Sequence, residues 1–308
     1  MSANRTRLSA AAAALFGLTQ VASAPLLAQD TAPFEADPPK ACGPCDGWNA
    51  PLEPFRIFGN TWYVGTAGLS AILVTTEGGL VLLDGGLPQS AALIERNIRA
   101  LGFATEDLRL ILNSHAHYDH AGGIAALARA SGARVAASPA GAAALEQGGP
   151  TADDPQFALG REANAFPPVP DVVRVEEGVA LTVGGLAMTP VFTPGHTPGG
   201  TTWTWRACEG ERCLTMVYAD SLTAVSADGY RYTDAPELLA AFEASIAKVA
   251  ELPCDVLVST HPVDLAAKRE QLLEGQGVGA NPFVQPGACR DYGDRAAAAL
   301  ERRVARER

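Results

Sequence analysis

The segment Asn113-Ser114-His115-Ala116-His117-Tyr118-Asp119-His120-Ala121-Gly122-Gly123 contains three of the five histidines in this chain of 308 residues. An apolar run at 108–113, short enough for a buried strand, precedes these histidines, and a helix is predicted over 121–130. His115 and His117 alternate, so an extended loop can point both the same way, whereas Asp119 and His120 lie in the first helical turn and can aim elsewhere. Four potential ligands within six residues are too many for one metal ion at one end of a loop. The spacing therefore predicts two adjacent metal sites, each completed by a distant histidine.

The two remaining histidines lie in short loops that each follow a predicted strand. His196 lies in Thr193-Pro194-Gly195-His196-Thr197-Pro198-Gly199-Gly200, and His261 lies in Ser259-Thr260-His261-Pro262. Loops in this position gather the active-site residues of layered α/β folds. Imidazole and carboxylate ligands suit Zn²⁺, although ligand type alone also allows Fe or Mn. With these two loops, every histidine of the chain is a candidate metal ligand.

Composition and charge exclude several classes of protein. Apolar residues make up 47% of the chain and charged residues 19%, which excludes wholesale disorder. The net charge is −11 and no cluster of lysines and arginines offsets it, so the surface repels phosphate backbones. We therefore expect no nucleic-acid partner. We also expect a soluble monomer with a small-molecule substrate and no membrane partner.

The order of predicted strands and helices indicates one α/β domain over residues 29–308. The predicted strands are 55–58, 61–64, 70–75, 80–83, 108–113, 134–137, a second series within 172–218, and 255–259. The predicted helices are 88–101, 121–130, 139–146, 236–252, 268–274 and 291–306. Residues 29–53 are predicted to form an extended arm, and the proline-rich stretch 147–171 a long loop of the kind that forms lids or binding sites. Strand runs with helices at both ends of each half predict two sheets packed between helical layers.

The N-terminus has the pattern of a secretory signal peptide over residues 1–28. Arg5 and Arg7 precede a short apolar run at 8–16, and small residues follow at Ala22-Ser23-Ala24 and again at Leu26-Leu27-Ala28. The apolar run is well short of the ~18 residues that span a membrane. We expect cleavage after residue 28, which removes two arginines and leaves a mature net charge of −13.

An even number of cysteines in an exported chain favours disulfides. Cys208 and Cys213 flank a short turn between two strand-like runs, so we expect a bridge across the mouth of a hairpin. Cys254 opens a predicted strand and Cys289 begins the last helix, and we expect these two to pair. The Cys-Gly-Pro-Cys segment at 42–45 lacks the βαβ setting of redox-active C-x-x-C motifs, which favours a local structural bridge.

The ligand segment resembles the His-x-His-x-Asp-His signature of the metallo-β-lactamase superfamily, and the resemblance extends from about residue 55 to the C-terminus. Leu82-Leu83-Asp84-Gly85-Gly86 is similar to the strand-end Asp-Gly of the superfamily, and the His196 loop is similar to its third histidine loop. Within the superfamily, the chain most resembles class B β-lactamases of the third subgroup. The features that carry this are Tyr218-Ala219-Asp220-Ser221-Leu222-Thr223-Ala224, Gly200-Thr201-Thr202-Trp203-Thr204-Trp205, Thr260-His261-Pro262 and the two cysteine pairs at 208/213 and 254/289.

Two positions decide the subgroup and one departs from it. A zinc-binding cysteine occupies the place of Ser221 in the other β-lactamase subgroups, whereas here Ser221 stands beside an intact His120. Some relatives pair the equivalent of Cys42 with a cysteine just after the second strand, where this chain has Gly65-Thr66-Ala67-Gly68. The partner of Cys42 therefore stays open, with Cys45 as the available substitute.

The resemblance implies a four-layer αββα sandwich and two Zn²⁺ per chain, with the ligands divided into two triads. The first triad would be His115, His117 and His196, and the second Asp119, His120 and His261. In such a centre the ions typically share a hydroxide, which would attack the lactam carbonyl of penicillins, cephalosporins and carbapenems and so confer antibiotic resistance.

Roles for the other site residues follow from the same resemblance. Asp119 would also be the catalytic residue that orients the hydroxide. Ser221 and Thr223 would hydrogen-bond the substrate carboxylate, and Gln156 of the long loop would contact substrate. Asp84 would be structural rather than a ligand.

Another hydrolase of the same fold is the alternative. Lactonases and thioester hydrolases such as glyoxalase II share the histidine pattern and bridge their metals with an aspartate, for which Asp220 is the candidate. Export and disulfides favour the β-lactamase, because lactam targets lie in the periplasm, whereas glyoxalase chemistry is cytoplasmic. A periplasmic zinc-binding protein without catalysis is a third class, which turnover would distinguish.

Overall fold

The strands form two mixed sheets in a computed structural model that describes Met1, residues 34–275 and residues 281–308. The first sheet has seven strands in chain order: β1 (Phe55–Phe58), β2 (Thr61–Tyr63), β3 (Ile72–Thr76), β4 (Gly79–Leu83), β5 (Leu108–Leu112), β6 (Arg134–Ala137) and β7 (Val173–Arg174). Strands β1 to β4 pair antiparallel, and β4 to β7 pair parallel. The second sheet contains β8 (Leu181–Val183), β9 (Leu186–Phe192), β10 (Thr201–Glu209), β11 (Arg212–Ala219) and β12 (Val256–Ser259). Its β11–β12 pair is parallel and its other pairs are antiparallel.

Helices cover the outer face of each sheet. In chain order they are α1 (Cys45–Trp48), α2 (Ser90–Ala100), α3 (Tyr118–Ala121), α4 (Ile124–Ser131), α5 (Pro139–Gln147), α6 (Arg161–Asn164), α7 (Pro236–Glu251), α8 (Leu265–Glu274) and α9 (Ala288–Glu307). Apolar residues of α2, α4 and α5 share one buried cluster with the first sheet. Cys289 of α9 packs on Val217 and Ala219 of the second sheet, and α7 packs on α9. The predicted four-layer αββα sandwich is confirmed.

The two-residue period of the strands decides which side chains face which layer. Ile72 and Val74 of β3 belong to the core between the sheets, whereas Leu73 between them belongs to the core under the helices. Trp203 of β10 is fully buried between the sheets, and its indole Nε1 donates to the carbonyl oxygen of Asn113 at 3.0 Å. This hydrogen bond ties the second sheet to the start of the ligand segment.

Several predicted segments differ in detail from the observed elements. The helix predicted over 121–130 corresponds to α4, and Gly122-Gly123 separates it from the short helix α3. Only glycine fits at position 123, because a Cβ there would lie 2.2 Å from the carbonyl oxygen of Gly85. The loop predicted over 147–171 contains a single 3₁₀ turn at Phe157–Leu159 and the short helix α6. The predicted arm over 29–53 contains α1. The leader predicted over 1–28 lies outside the described residues apart from Met1.

Loops from both sheets meet at one edge of the sandwich. Asp84 follows β4 and accepts hydrogen bonds from Ser114, which lies just beyond β5. His115 in turn contacts Asp220, which follows β11. Of the helices in the described part of the chain, none combines the length and the apolar character needed to cross a membrane.

Candidate metal centre

Three buried histidines form the first candidate site. His115 and His117 come from the loop between β5 and α3, and His196 from the loop between β9 and β10. One nitrogen of each ring lies within 4.8 Å of the others, and the ring centroids are 4.8–5.0 Å apart. The structure thus brings together the three residues that the sequence predicted to share one ion.

Each histidine of this triad has a separate partner for the nitrogen that faces away from the centre. Nδ1 of His115 lies 2.7 Å from Oδ1 of Asp220, and Nδ1 of His196 lies 2.8 Å from the carbonyl oxygen of Thr223. Nε2 of His117 lies 3.2 and 3.3 Å from the two carboxylate oxygens of Asp154. Such partners orient metal-ligating histidines and set which nitrogen binds the ion.

A buried nitrogen without a partner shows that a metal ion fits the first triad. Nε2 of His115 is buried and has no hydrogen-bond partner among the described residues. A buried polar atom of this kind is unfavourable unless something binds it. The unpaired nitrogen belongs to a group whose ligand atoms converge, so a metal ion would satisfy it.

In the second candidate site the ligand atoms lie closer to one another than the 4.8 Å limit that describes the first triad. Oδ2 of Asp119, Nε2 of His120 and Nε2 of His261 lie 3.2 Å from one another in all three pairs. A tetrahedral zinc ion with bonds of about 2.0–2.1 Å separates its ligand atoms by about 3.3–3.4 Å. His115 shares a group of converging ligand atoms with Asp119 and His120, so the two candidate sites are adjacent.

The protonation states of His115, His196 and Asp119 suit metal binding. Burial lowers the pKa of His115 well below its usual value, with the neighbouring histidines acting in the same direction. Burial also lowers the pKa of His196 to about 3, so both imidazoles are neutral at neutral pH, as a ligand must be. Burial by itself would raise the pKa of Asp119, but His120 and His261 beside it outweigh burial and hold this pKa well below its usual value.

Asp84 supports the ligand segment from below. Its carboxylate accepts hydrogen bonds from Nδ2 of Asn113, from the backbone N–H and the hydroxyl of Ser114, and from the hydroxyl of Tyr218, at 2.6–3.0 Å. Its backbone has a φ of +60°, a left-handed conformation that is uncommon outside glycine. Asp84 is fully buried, and its carboxylate is 3.8 Å from Nδ1 of His120. It therefore positions the ligands and is outside both triads.

The residues predicted to bind substrate border the two triads to different degrees. The hydroxyl of Ser221 is 2.8 Å from that of Thr260, and Ser221 is buried. Thr223 is exposed, and its hydroxyl lies 3.2 Å from Nδ1 of His196. Nε2 of Gln156 lies 3.4 Å from Nδ1 of His117, so the long loop reaches the first triad.

Two neighbours of the site were missed by the sequence analysis. Asp154 lies in the long loop, and nothing in its local sequence distinguishes it from the adjacent exposed Asp153. Trp48 of α1 packs against His261 with ring centroids 5.1 Å apart. The Cys42–Cys45 disulfide begins this helix, so the N-terminal arm covers one side of the second triad.

The six cysteines, all within the described residues, form three disulfides. Cys208–Cys213 joins directly paired residues of β10 and β11. Cys254, two residues before β12, is bridged to Cys289 of α9. Cys42 is bridged to Cys45, three positions further along the chain. The two expected pairs are confirmed, and Cys45 is the partner of Cys42.

Comparison with known proteins identifies the family. The sequence profile of the metallo-beta-lactamase superfamily matches residues 65–208. The structure of MEM-A1, a subclass B3 metallo-beta-lactamase from a soil metagenome library, is 45% identical over 84% of this chain and 98% of that chain, with a TM-score of 0.79. The chain belongs to the metallo-β-lactamase superfamily. Within this superfamily it is also similar to the Rm3 metallo-beta-lactamase, at 49% identity over 87% of this chain and 99% of that one, with a TM-score of 0.80.

Other members of the superfamily are related over part of their length. The hydroxyacylglutathione hydrolase of Cereibacter sphaeroides is 30% identical over 178 residues, which are 56% of this chain and 51% of that protein. The hydroxyacylglutathione hydrolase of Anaeromyxobacter dehalogenans is 32% identical over 62% of this chain and 58% of its own length. The chain thus spans a little over half the length of these curated relatives.

The resemblance to third-subgroup β-lactamases is confirmed by the solved structures.

Proposed function

We propose that this metallo-β-lactamase superfamily member hydrolyses the amide bond of β-lactam rings, including penicillins, cephalosporins and carbapenems, and so confers antibiotic resistance. The observation that carries the proposal is the pair of adjacent triads with Asp220 outside both of them. Similarity to subclass B3 enzymes over nearly their whole length supports the same conclusion.

We propose that the centre holds two zinc ions per chain. His115, His117 and His196 would bind one ion, and Asp119, His120 and His261 the other. Zinc at such a site polarises a carbonyl oxygen and lowers the pKa of water to near neutrality. The 3.2 Å triangle of the second triad and the unpaired Nε2 of His115 support this assignment.

The residues of the chain would supply orientation and recognition. The Asp119 carboxylate, held in its charged form by His120 and His261, would accept a hydrogen bond from the attacking water and aim it at the lactam carbonyl. Thr223 is exposed beside His196, and its hydroxyl could donate to the substrate carboxylate. Ser221 would first exchange its hydrogen bond to Thr260 for one to substrate, and Gln156 would turn from His117 toward substrate.

The alternative is a lactonase or a thioester hydrolase. The similarity to two hydroxyacylglutathione hydrolases is the observation that supports it. That chemistry would use Asp220 as a ligand between the two ions. Here the Asp220 carboxylate contacts Nδ1 of His115, the ring nitrogen opposite the one that faces the triad. This position favours the β-lactamase.

We also propose that the chain is exported to the periplasm through residues 1–28 and acts there as a monomer. Three disulfides among the described cysteines support an oxidising compartment. N-terminal sequencing of the protein from a periplasmic fraction, together with its mass in solution, tests both points.

A hydrolysis panel tests the function. A penicillin, a cephalosporin, a carbapenem, a lactone and a glutathione thioester are each supplied to the zinc-loaded protein, with and without a chelator. Chelator-sensitive hydrolysis of the three β-lactams, well above that of the other two, is the expected result. Turnover restricted to the lactone or the thioester would contradict the proposal.

A further inference from the structure

The loop that follows β11 forms one wall of the metal centre and has little regular structure of its own. Residues 220–231 contain no helix or strand. They carry Ser221 and Thr223, and the carbonyl oxygen of Thr223 orients His196. The backbone N–H of Ala227 donates to the carbonyl oxygen of Pro155 at 2.9 Å, so this loop also contacts the long loop beside Gln156.

One arginine of α9 makes most of the side-chain hydrogen bonds to the middle of this loop. Nη1 of Arg303 donates to the carbonyl oxygen of Ala224 at 3.0 Å. Its Nη2 donates to the hydroxyl of Ser226 at 2.9 Å and to the carbonyl oxygen of Tyr230 at 2.8 Å. Arginine presents several donors in one rigid plane, so a single side chain can hold three separate points of a loop.

The Arg303 side chain is itself held in place. Its Nε donates to Glu307, whose other carboxylate oxygen accepts from the backbone N–H of Thr233 at 2.9 Å. Its guanidinium lies over the ring of Tyr232, 5.4 Å from the ring centroid. The side chain is 22% exposed, so water competes little for these partners.

The helix that carries Arg303 is attached at its other end as well. Cys289 links α9 to Cys254, and the hydroxyl of Tyr292 donates to the carbonyl oxygen of Asp220 at 2.9 Å and accepts from the N–H of Leu222 at 3.3 Å. Tyr292 thus holds the start of the loop, next to the ligands, and Arg303 holds the part that extends beyond Thr223. Tyr292 therefore fixes the part of the loop next to the metal ligands, whereas Arg303 fixes the part that would face the substrate.

We infer that Arg303 is a positioning residue that sets KM by holding the 220–231 loop in its substrate-binding conformation. The inference rests on the proposed function, because the loop would carry the groups that recognise the β-lactam. Without Arg303 the loop would visit other conformations, and apparent affinity falls in proportion to the fraction that stays competent. If about one molecule in ten stays competent, KM rises about tenfold while kcat stays within about twofold.

The test compares three variants at saturating zinc. Arg303→Ala is expected to raise KM for a cephalosporin about tenfold, to keep the zinc content of the wild type and to speed amide exchange within 222–231. Arg303→Lys keeps a charged donor and is expected to give an intermediate KM. The adjacent Arg302 is exposed, and Arg302→Ala serves as the matched control with a wild-type KM.

Several results would overturn the inference. A wild-type KM in Arg303→Ala, even with faster amide exchange, would leave Arg303 a structural role only. Loss of zinc from Arg303→Ala, or a fall in kcat without a change in KM, would mean that the arginine acts through His196 and not on the substrate side. If Arg303→Ala does not fold, Arg303→Lys decides alone: a raised KM supports the inference and a wild-type KM overturns it. If the wild type hydrolyses no β-lactam, both the proposed function and the inference fail. If the wild type is active and only the variants give the contradicting results, the inference alone fails.

Discussion

At the scale of single residues, the candidate metal centre depends on groups that lie outside both triads. His115, His117 and His196 each pair their outward nitrogen with a different partner. Two of these partners lie in the loop after β11 and the third in the long loop over 147–171: Asp220, Thr223 and Asp154. A neutral imidazole has one N–H to donate, so the outer partner decides which nitrogen remains free for the metal. The outer partners therefore help to determine the geometry of the site, together with the ligands themselves.

Asp154 is the outer partner whose removal is easiest to interpret. Asp154→Asn keeps the turn in which the carboxylate accepts from the N–H of Gln156, but it removes the charge next to Nε2 of His117. Loss of such a partner typically weakens metal binding by about 10- to 100-fold, and we expect about the lower figure. Competition against a zinc-binding dye measures the affinity.

The neighbouring Asp153 supplies the control. It is exposed, so Asp153→Asn changes the net charge of the loop equally without touching His117. Equal zinc affinities in the two variants would show that Asp154 has no part in metal binding.

Asp220 distinguishes the two candidate functions. Because its carboxylate contacts the outer nitrogen of His115, Asp220→Asn is expected to retain two zinc ions at saturating zinc and to retain carbapenem hydrolysis. Elemental analysis of the purified variant and a carbapenem assay measure these outcomes. A well-folded variant that loses its zinc would refute the ligand assignment and favour a lactonase.

At the scale of helices and strands, two covalent links join elements of the second sheet and the last helix. The Cys208–Cys213 bridge closes a hairpin that β10 and β11 already hold together through their paired residues. The Cys254–Cys289 bridge spans 35 positions and ties α9 to the start of β12. A cross-link over a longer loop removes more conformational freedom from the unfolded chain, so the two bridges differ in their contribution.

Replacing the long-range bridge should destabilise the protein more than replacing the hairpin bridge. On the chain-entropy model, Cys254→Ser with Cys289→Ser lowers the free energy of unfolding by about 4 kcal/mol, and Cys208→Ser with Cys213→Ser by about 2 kcal/mol. Urea denaturation of both double variants, monitored by tryptophan fluorescence, measures the difference. A larger loss in the hairpin variant would contradict this order.

At the scale of the whole molecule, metal binding is coupled to folding. The ligands come from loops after β5, β9 and β12, which lie in both sheets, so the site exists only when the sheets are packed together. Four of the histidines and Asp119 are buried near one another, and Nε2 of His115 has no hydrogen-bond partner among the described residues. Zinc should therefore stabilise the packing of one sheet on the other.

Metal removal should be measurable as a loss of stability. An ion that binds only the folded state stabilises it by about 2.7 kcal/mol when its free concentration is 100 times its Kd. Two sites filled to that degree would together give about 5 kcal/mol. Thermal unfolding with zinc and after dialysis against a chelator measures the effect, and identical unfolding curves would contradict a metal centre that spans both sheets.

The sequence by itself predicted the candidate ligands and the layered architecture. His115, His117, Asp119 and His120 lie within six residues, so their spacing already carries the information. Short apolar runs bounded by turn residues likewise predicted the strands, because a strand that is buried on both faces is apolar along most of its length. Two of the three disulfide pairs followed from which cysteines stand at strand and helix ends, whereas the partner of Cys42 stayed open.

Only the tertiary structure decided which residues orient those ligands and shape the substrate side. Asp154 is 37 residues from His117, and Asp220 is 105 residues from His115. Arg303 reaches Ala224 across 79 positions. Contacts over such separations leave no periodic or local signal, because they depend on how the two sheets and the last helix pack. For this reason the sequence does not distinguish the exposed Asp153 from the buried Asp154, and only the fold shows which of them contacts His117.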